Sequence, residues 1–112
     1  MDPFEIRRAA PSDVPAIRAC AAAAYAKWVA VLGYEPYPVV MDYAAAVHEH
    51  DVWVVPFDGG VIGVLVLIDE PPKLLLDNVA VDPAHRGRGL GNLLLDRALA
   101  LAAQGGYRAL RL

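Results

Sequence analysis

The sequence predicts an α/β domain, in α+β style with a mixed sheet, whose elements run β-α-α-β-β-β-α-β. Three observations carry that expectation. Short runs rich in Val, Ile and Leu alternate with alanine- and leucine-rich stretches of helical length. Asp58-Gly59-Gly60 separates two apolar runs as a hairpin turn, because glycine tolerates the positive φ such turns need. A glycine-rich segment, Arg86-Gly87-Arg88-Gly89-Leu90-Gly91, then joins a strand to a helix, as in a β-α-β crossover.

Taken in order, residues 4–8 read as a short first strand. Pro11-Ser12-Asp13 is a helix start, with Ser12 or Asp13 able to cap. The alanine-rich run to about Leu32 is a long helix that Gly33 stops. Tyr34-Glu35-Pro36-Tyr37-Pro38 is a loop, since its two prolines cannot continue that helix. Residues 42–50 form a shorter helix, 51–57 a strand rich in Val and Trp, and 61–69 the returning strand. Pro71-Pro72 breaks it. Residues 74–81 begin apolar on both faces and so form an interior strand. After a loop over 82–87, residues 88–104 are a helix with Leu93, Leu94, Ala98, Leu101 and Ala102 on one side. Gly105-Gly106 ends it, and 107–112 is a last strand.

A chain of 112 residues, 57% hydrophobic and 21% charged, is one domain with a packed core, spanning 1–112 without internal repeat or linker. Its 10 basic and 13 acidic residues leave a formal charge of −3, so no general attraction to nucleic acid or to an anionic membrane is expected. The single Cys20 forms no internal disulfide, fits a reducing, cytoplasmic setting, and reads as a small buried residue. The start, Met1-Asp2-Pro3-Phe4-Glu5, is not a signal peptide, and the longest apolar run, 61–68, has strand length.

In an acidic chain, the segment with Arg86 and Arg88 is a local concentration of donors. Backbone amides at a helix start lack intrahelical partners, and the helix dipole adds partial positive charge there. Glycines at 87, 89 and 91 remove the Cβ atoms that would hold an anion away from those amides. The expected result is a phosphate cradle. Two other phosphate motifs fail. A Walker loop needs a Gly-Lys-Ser/Thr ending, and this segment has no lysine. A dinucleotide fingerprint counted from Gly87 and Gly89 needs a third glycine where Asn92 stands.

Arg86-x-x-Gly89-x-Gly91 resembles the Arg/Gln-x-x-Gly-x-Gly/Ala signature of the GNAT N-acetyltransferase superfamily. The wider string from Leu76 through Asp77-Asn78-Val79-Ala80-Val81-Asp82-Pro83-Ala84-His85 to Gly91 looks like that family's fourth strand, loop and third helix. The resemblance implies an acetyl-CoA-dependent N-acetyltransferase whose acceptor is a primary amine of a small molecule, peptide or protein. The alternative is a non-catalytic CoA-binding or dimerisation module of the same fold. It implies that backbone groups of Val79 and Val81 hydrogen-bond the pantetheine arm like an added strand, with Ala80 also at the cofactor, and that amides of Arg86, Gly87, Arg88, Gly89, Leu90 and Gly91, with Asn92 nearby, hold the diphosphate. The thioester would lie where the fourth and fifth strands splay. No metal is implied.

For catalysis the resemblance points to Asp77, where relatives often place an acidic base, on the expectation that Asp77 and Val79 face one way. His48, Glu49 and His50 read as a solvated helix end away from the thioester, and His85 as a surface or phosphate-side residue. Tyr25 and Trp28 read as core, and Tyr34 and Tyr37 as walls of the acceptor site. The family pattern continues with a further helix, which usually supplies a tyrosine acid, and two more strands. Here the sequence ends at Leu112, and Tyr107, Trp53 and Tyr43 do not match that tyrosine's position. The expectation is therefore a domain incomplete at its C-terminus, or a homodimer or swapped oligomer formed along the apolar edge Ala109-Leu110-Arg111-Leu112.

Overall fold

The structure, a computed structural model, describes residues 4–112. The reading of the N-terminus falls partly on residues 1–3, which lie outside the described residues. The elements are β1 (Arg7–Arg8), α1 (Val14–Leu32), α2 (Tyr37–Val40), α3 (Tyr43–Glu49), β2 (Asp51–Phe57), β3 (Gly60–Glu70), β4 (Lys73–Val81), α4 (Leu90–Gln104) and β5 (Ala109–Arg111), with 3₁₀ turns at Pro11–Asp13 and Pro83–His85. The sheet runs β1-β2-β3-β4-β5; its first three pairings are antiparallel and β4 pairs β5 in parallel. This is the mixed-sheet α/β class the pattern predicts.

Alternation along the strands divides the core in two. Val52, Val54, Val64, Val66 and Ala80 face α1 and α3, where they meet Ile17, Cys20, Ala21, Tyr43 and Ala46. Trp53, Val55, Leu65, Leu67 and Leu74 face α4, where they meet Leu90, Leu94, Ala98 and Ala102. Small residues let both helices sit low on the sheet. At Gly63 a Cβ would stand 3.3 Å from Leu94 Cδ1 and 3.1 Å from Val55 Cγ2, so α4 approaches β3 as closely as a bare backbone permits.

The α1 helix buries Val14, Ile17, Cys20, Ala21 and Ala24 as one stripe and ends on Gly33 in the left-handed region, whose amide bonds Val29 O at 2.9 Å. With its preceding turn it spans Pro11–Leu32, 22 residues, long and apolar enough by composition to cross a membrane; here its buried stripe belongs to the core. Burial pushes the Cys20 thiol up to about 12, so it stays neutral.

Several local expectations are corrected. Tyr37–Val40 is a helical turn, not loop: both prolines fall where helices accept them, Pro36 at the N-cap and Pro38 in the first turn. Trp28 is 50% exposed rather than core, one face round from the Ile17–Ala24 stripe, whereas Tyr25 packs on the core as expected. Asp13 caps no amide of α1. It accepts from Ala10 N at 2.7 Å and takes both nitrogens of Arg7 at 2.8 and 3.0 Å. β1 and β5 are shorter than expected, and α4 starts at Leu90 rather than Arg88.

The hydrogen-bonded Arg7 guanidinium holds the Asp13 carboxyl below its ordinary value of 3.8. A lowered carboxyl pKa stabilises the fold above the ordinary value and loses that contribution as pH falls through the lowered one. Asp13→Asn is therefore expected to lower unfolding stability near pH 7 by about 1 kcal/mol. The gap between variant and parent in urea midpoints should close as pH falls below 3.8; a constant gap would assign the effect elsewhere.

Candidate functional site

The site begins with one extra residue in β4. The β3–β4 register runs Val66↔Asn78 and then Leu67↔Leu76, so Asp77 has no counterpart and forms a bulge. The bulge breaks alternation. Leu76 and Val79 both pack on the α4 side, while Asp77 and Asn78 turn together toward α1, α2 and α3. The expectation that Asp77 and Val79 face one way is thus overturned, and Asp77 is carried to the helix-covered face instead.

β5 pairs only with residues 73–75 of β4. Beyond them β4 has no neighbour on that side among the described residues. Asp82 N donates to Ile62 O at 2.9 Å, which fixes the phase of the ladder. Antiparallel alternation then points the backbone of Ala80 and Asn78 at β3 and turns the N–H and C=O of Val79 and Val81 to the open side. Val79 and Val81, the two residues read as offering backbone, thus turn it to the open side, while the backbone of Ala80 between them is turned to β3.

At the end of this open edge stands the glycine loop. The Pro83–His85 turn is capped by Asp82, whose Oδ1 accepts from Ala84 N at 2.9 Å. Arg86 (φ −63, ψ 151) and Gly87 (φ 82) follow with the centre φ values of a type II turn, the second of which needs glycine. Gly89 (φ 81, ψ 12) precedes the first turn of α4. The amides of residues 87–92 find no acceptor in hydrogen-bond geometry among the described residues, while Arg86 N is bonded to Pro83 O at 3.3 Å. The run of unbonded amides thus starts at Gly87 and continues through Arg88, Gly89, Leu90, Gly91 and Asn92, one residue later than the expected cradle. Space beside Gly87, Gly89 and Gly91 is open.

The two arginines part company. Arg86 reaches back to α1, where its Nη2 donates to Ala24 O at 3.2 Å. Arg88 stays exposed at the cradle, its Nη1 3.4 Å from His85 Nδ1. His85 in turn lies edge-on to Phe57, with ring centroids 4.8 Å apart.

Asp77 opens into a cleft of about 200 Å³ lined by Tyr37, Met41, Asp42, Glu49, His50 and Ile68. Tyr37 Oη lies 3.5 Å from Asp77 Oδ2, the long limit of a hydrogen bond. Partial burial, and then the Asp77 charge, push the Tyr37 phenol up, so it remains protonated at neutral pH. Tyr34, 62% exposed, does not line this cleft. The α3 end is not remote, contrary to expectation. Asp51 pairs with Leu67 and Leu67 with Leu76, so the start of β2 lies level with the bulge and brings Glu49 and His50 to the cleft. A larger recess of about 370 Å³ lies around Arg7, Asp13 and the β2–β3 turn, where the two charged groups already pair with each other.

The model of the Acetyltransferase (GNAT) family matches residues 17–112. Among solved structures, the chain is similar to an IAA acetyltransferase from Bacillus cereus ATCC 14579, at 25% identity and a TM-score of 0.64, over 93% of this chain and 61% of that one. It is also similar to an N-acetyltransferase from Staphylococcus aureus Mu50, at 26% identity and a TM-score of 0.72, over 96% and 70% of the two chains. A GNAT family acetyltransferase from Brucella melitensis in complex with acetyl-CoA shares the fold, at 23% identity and a TM-score of 0.69, over 98% and 75%. The chain thus spans 61% of the length of the Bacillus protein. No curated protein matches it.

The split between the arginines is measurable with CoA as the probe. Arg88→Ala is expected to raise its dissociation constant about three- to tenfold, the worth of one exposed charged contact. Arg86→Ala should lower the melting temperature more than it weakens binding. Calorimetric titration giving the opposite order would return the Arg86 side chain to the anion.

Proposed function

Because the chain belongs to the acetyltransferase (GNAT) family, we propose that it is a single acyl-CoA-binding domain that moves an acetyl group from acetyl-CoA to a primary amine of a small molecule, peptide or protein. One observation carries the reading. The unbonded amides of residues 87–92 lie at one end of an open strand edge whose Val79 and Val81 backbone groups face outward. A diphosphate matches the first feature, and an amide-bearing pantetheine arm matches the second as an added strand. From Val81 back to Asp77 the strand rises roughly 13 Å at about 3.3 Å per residue. The arm would lie along that stretch and bring the thioester to the bulge.

There the acceptor nitrogen attacks the thioester carbonyl carbon, the C–S bond breaks, and the thiolate leaves with the electron pair. The ammonium proton must leave first or during attack. Asp77, half-buried beside the protonated Tyr37, is the carboxylate at that end of the open edge and is assigned as the base. His50, across the same cleft, is a second group of suitable chemistry. Tyr37 forms the acceptor wall. Residues 87–92 and the strand backbone hold the donor so that attack becomes effectively intramolecular.

Binding and chemistry are tested separately. Gly91 lies inside α4 with open space around it, so Gly91→Val keeps the fold while filling the cradle. Gly89 sits at φ 81, where any side chain would add about 1–2 kcal/mol of backbone strain, which makes it the poorer probe. Acetyl-CoA at a hundredfold excess over its dissociation constant should stabilise the parent by about 2.7 kcal/mol and the Gly91→Val protein by little. Equal stabilisation of both would remove the loop from the site. Stabilisation without thiol release across an amine panel would leave a CoA-binding module.

For the chemistry, Asp77→Asn is expected to lower kcat by about 10²–10⁴-fold with the KM for acetyl-CoA unchanged. Unchanged turnover would transfer the base role to His50 or to water.

A further inference from the structure

Asn78 is the buried polar side chain among the described residues, at 3% exposure, and it follows the bulge directly. Its amide is used at both ends. Oδ1 accepts from Tyr25 Oη of α1 at 3.2 Å, and Nδ2 donates to Tyr43 Oη of α3 at 2.9 Å. Tyr43, fully buried, donates its hydroxyl hydrogen bond to Pro38 O in α2. Burial drives the Tyr43 phenol up, so that proton is retained.

The relay has a direction. Asn78 Nδ2 can only donate, so the Tyr43 oxygen accepts from it and its hydrogen is left for Pro38 O. Pro38 lies in a four-residue helix; Tyr37 O accepts from Met41 N at 2.9 Å, whereas Pro38 O has no backbone donor among the described residues and takes the Tyr43 hydroxyl instead. The neighbouring residue is Tyr37, which faces Asp77. The chain of contacts therefore runs from the residue after the bulge, through α3, to the segment carrying Tyr37, and so returns to the bulge.

We propose that Asn78 is a positioning residue that acts through Tyr43 to latch α2, and with it Tyr37, over Asp77, setting the acceptor side of the site independently of the donor side. The functional half of this inference rests on the acetyl-transfer reading; the latch itself does not. The donor cradle lies at the far end of β4 and shares no hydrogen bond with the relay. The Tyr25 arm ties α1 to the same amide but leaves the Tyr43–Pro38 bond untouched.

The test compares Tyr43→Phe, which removes the relay and keeps the ring, with Tyr25→Phe, which removes the other arm. Backbone amide relaxation on the full chain reads the latch without any ligand. In Tyr43→Phe, order parameters over residues 37–41 should fall from the rigid range near 0.85 toward 0.6, with β2 and β3 unchanged. In Tyr25→Phe they should stay rigid. Equal loosening in both variants, or none in Tyr43→Phe, overturns the proposal. Should Tyr43→Phe lose the fold, Asn78→Asp replaces it: a carboxylate draws the Tyr43 proton to itself, frees Pro38 O, and should loosen the same residues. For whichever amine of the panel releases thiol, Tyr43→Phe should raise the amine KM about tenfold and leave that for acetyl-CoA within twofold; a rise in both KM values also overturns it. Failure of the parent to bind acetyl-CoA would sink the acetyl-transfer reading, and the relaxation pattern would still decide the latch.

Discussion

The arrangement depends on a single unpaired residue in β4. With Asp77 inserted between Leu76 and Asn78, the strand keeps apolar side chains on its α4 face both before and after the bulge, and turns two consecutive polar side chains to the other face. Without that insertion, alternation would drive either Asp77 or Asn78 into the packing beneath α4, where a carboxylate or amide would lack partners. The bulge thus lets one strand serve as core, as an open backbone edge and as a carrier of polar chemistry.

Electrostatics are equally local. The chain as a whole is acidic, yet the start of α4 presents unbonded amides and Arg88, while the cleft at the β4 bulge is lined by Asp42, Glu49 and Asp77. An anion and a cation would be drawn to different places along one strand, its C-terminal end and its bulge. Under the proposed acetyl transfer, that separation keeps an anionic donor and a cationic acceptor from competing for the same place.

Much of this was legible in the sequence, and the exceptions have physical reasons. The hairpin at Asp58-Gly59-Gly60, the α1 terminus at Gly33 and the glycine loop were readable because each depends on backbone conformations that few residues adopt. The phase of β4 was not, since a bulge is a relation between two strands and leaves no mark in one of them. The same holds for Glu49 and His50, whose place at the cleft follows from the β2–β3 register. Trp28 misled because a large aromatic in an apolar helix reads as core, while the stripe that α1 buries, Val14, Ile17, Cys20, Ala21 and Ala24, lies on another face. The relay through Asn78 joins residues 35 and 53 positions apart and has no local signature. Arg86 carried a signal for its loop and none for its bond to Ala24.

The close seat of α4 against Gly63 links the interior to the surface in a way a map of the cleft does not display. The helix that begins at the cradle is also the helix whose Leu94 rests on that bare backbone. A methyl group added there would press on Leu94 Cδ1 and Val55 Cγ2, and whatever those side chains do not yield passes to α4. The seat of the helix that opens at the glycine loop thus depends on a position outside that loop, where the sheet offers a hydrogen in place of a side chain.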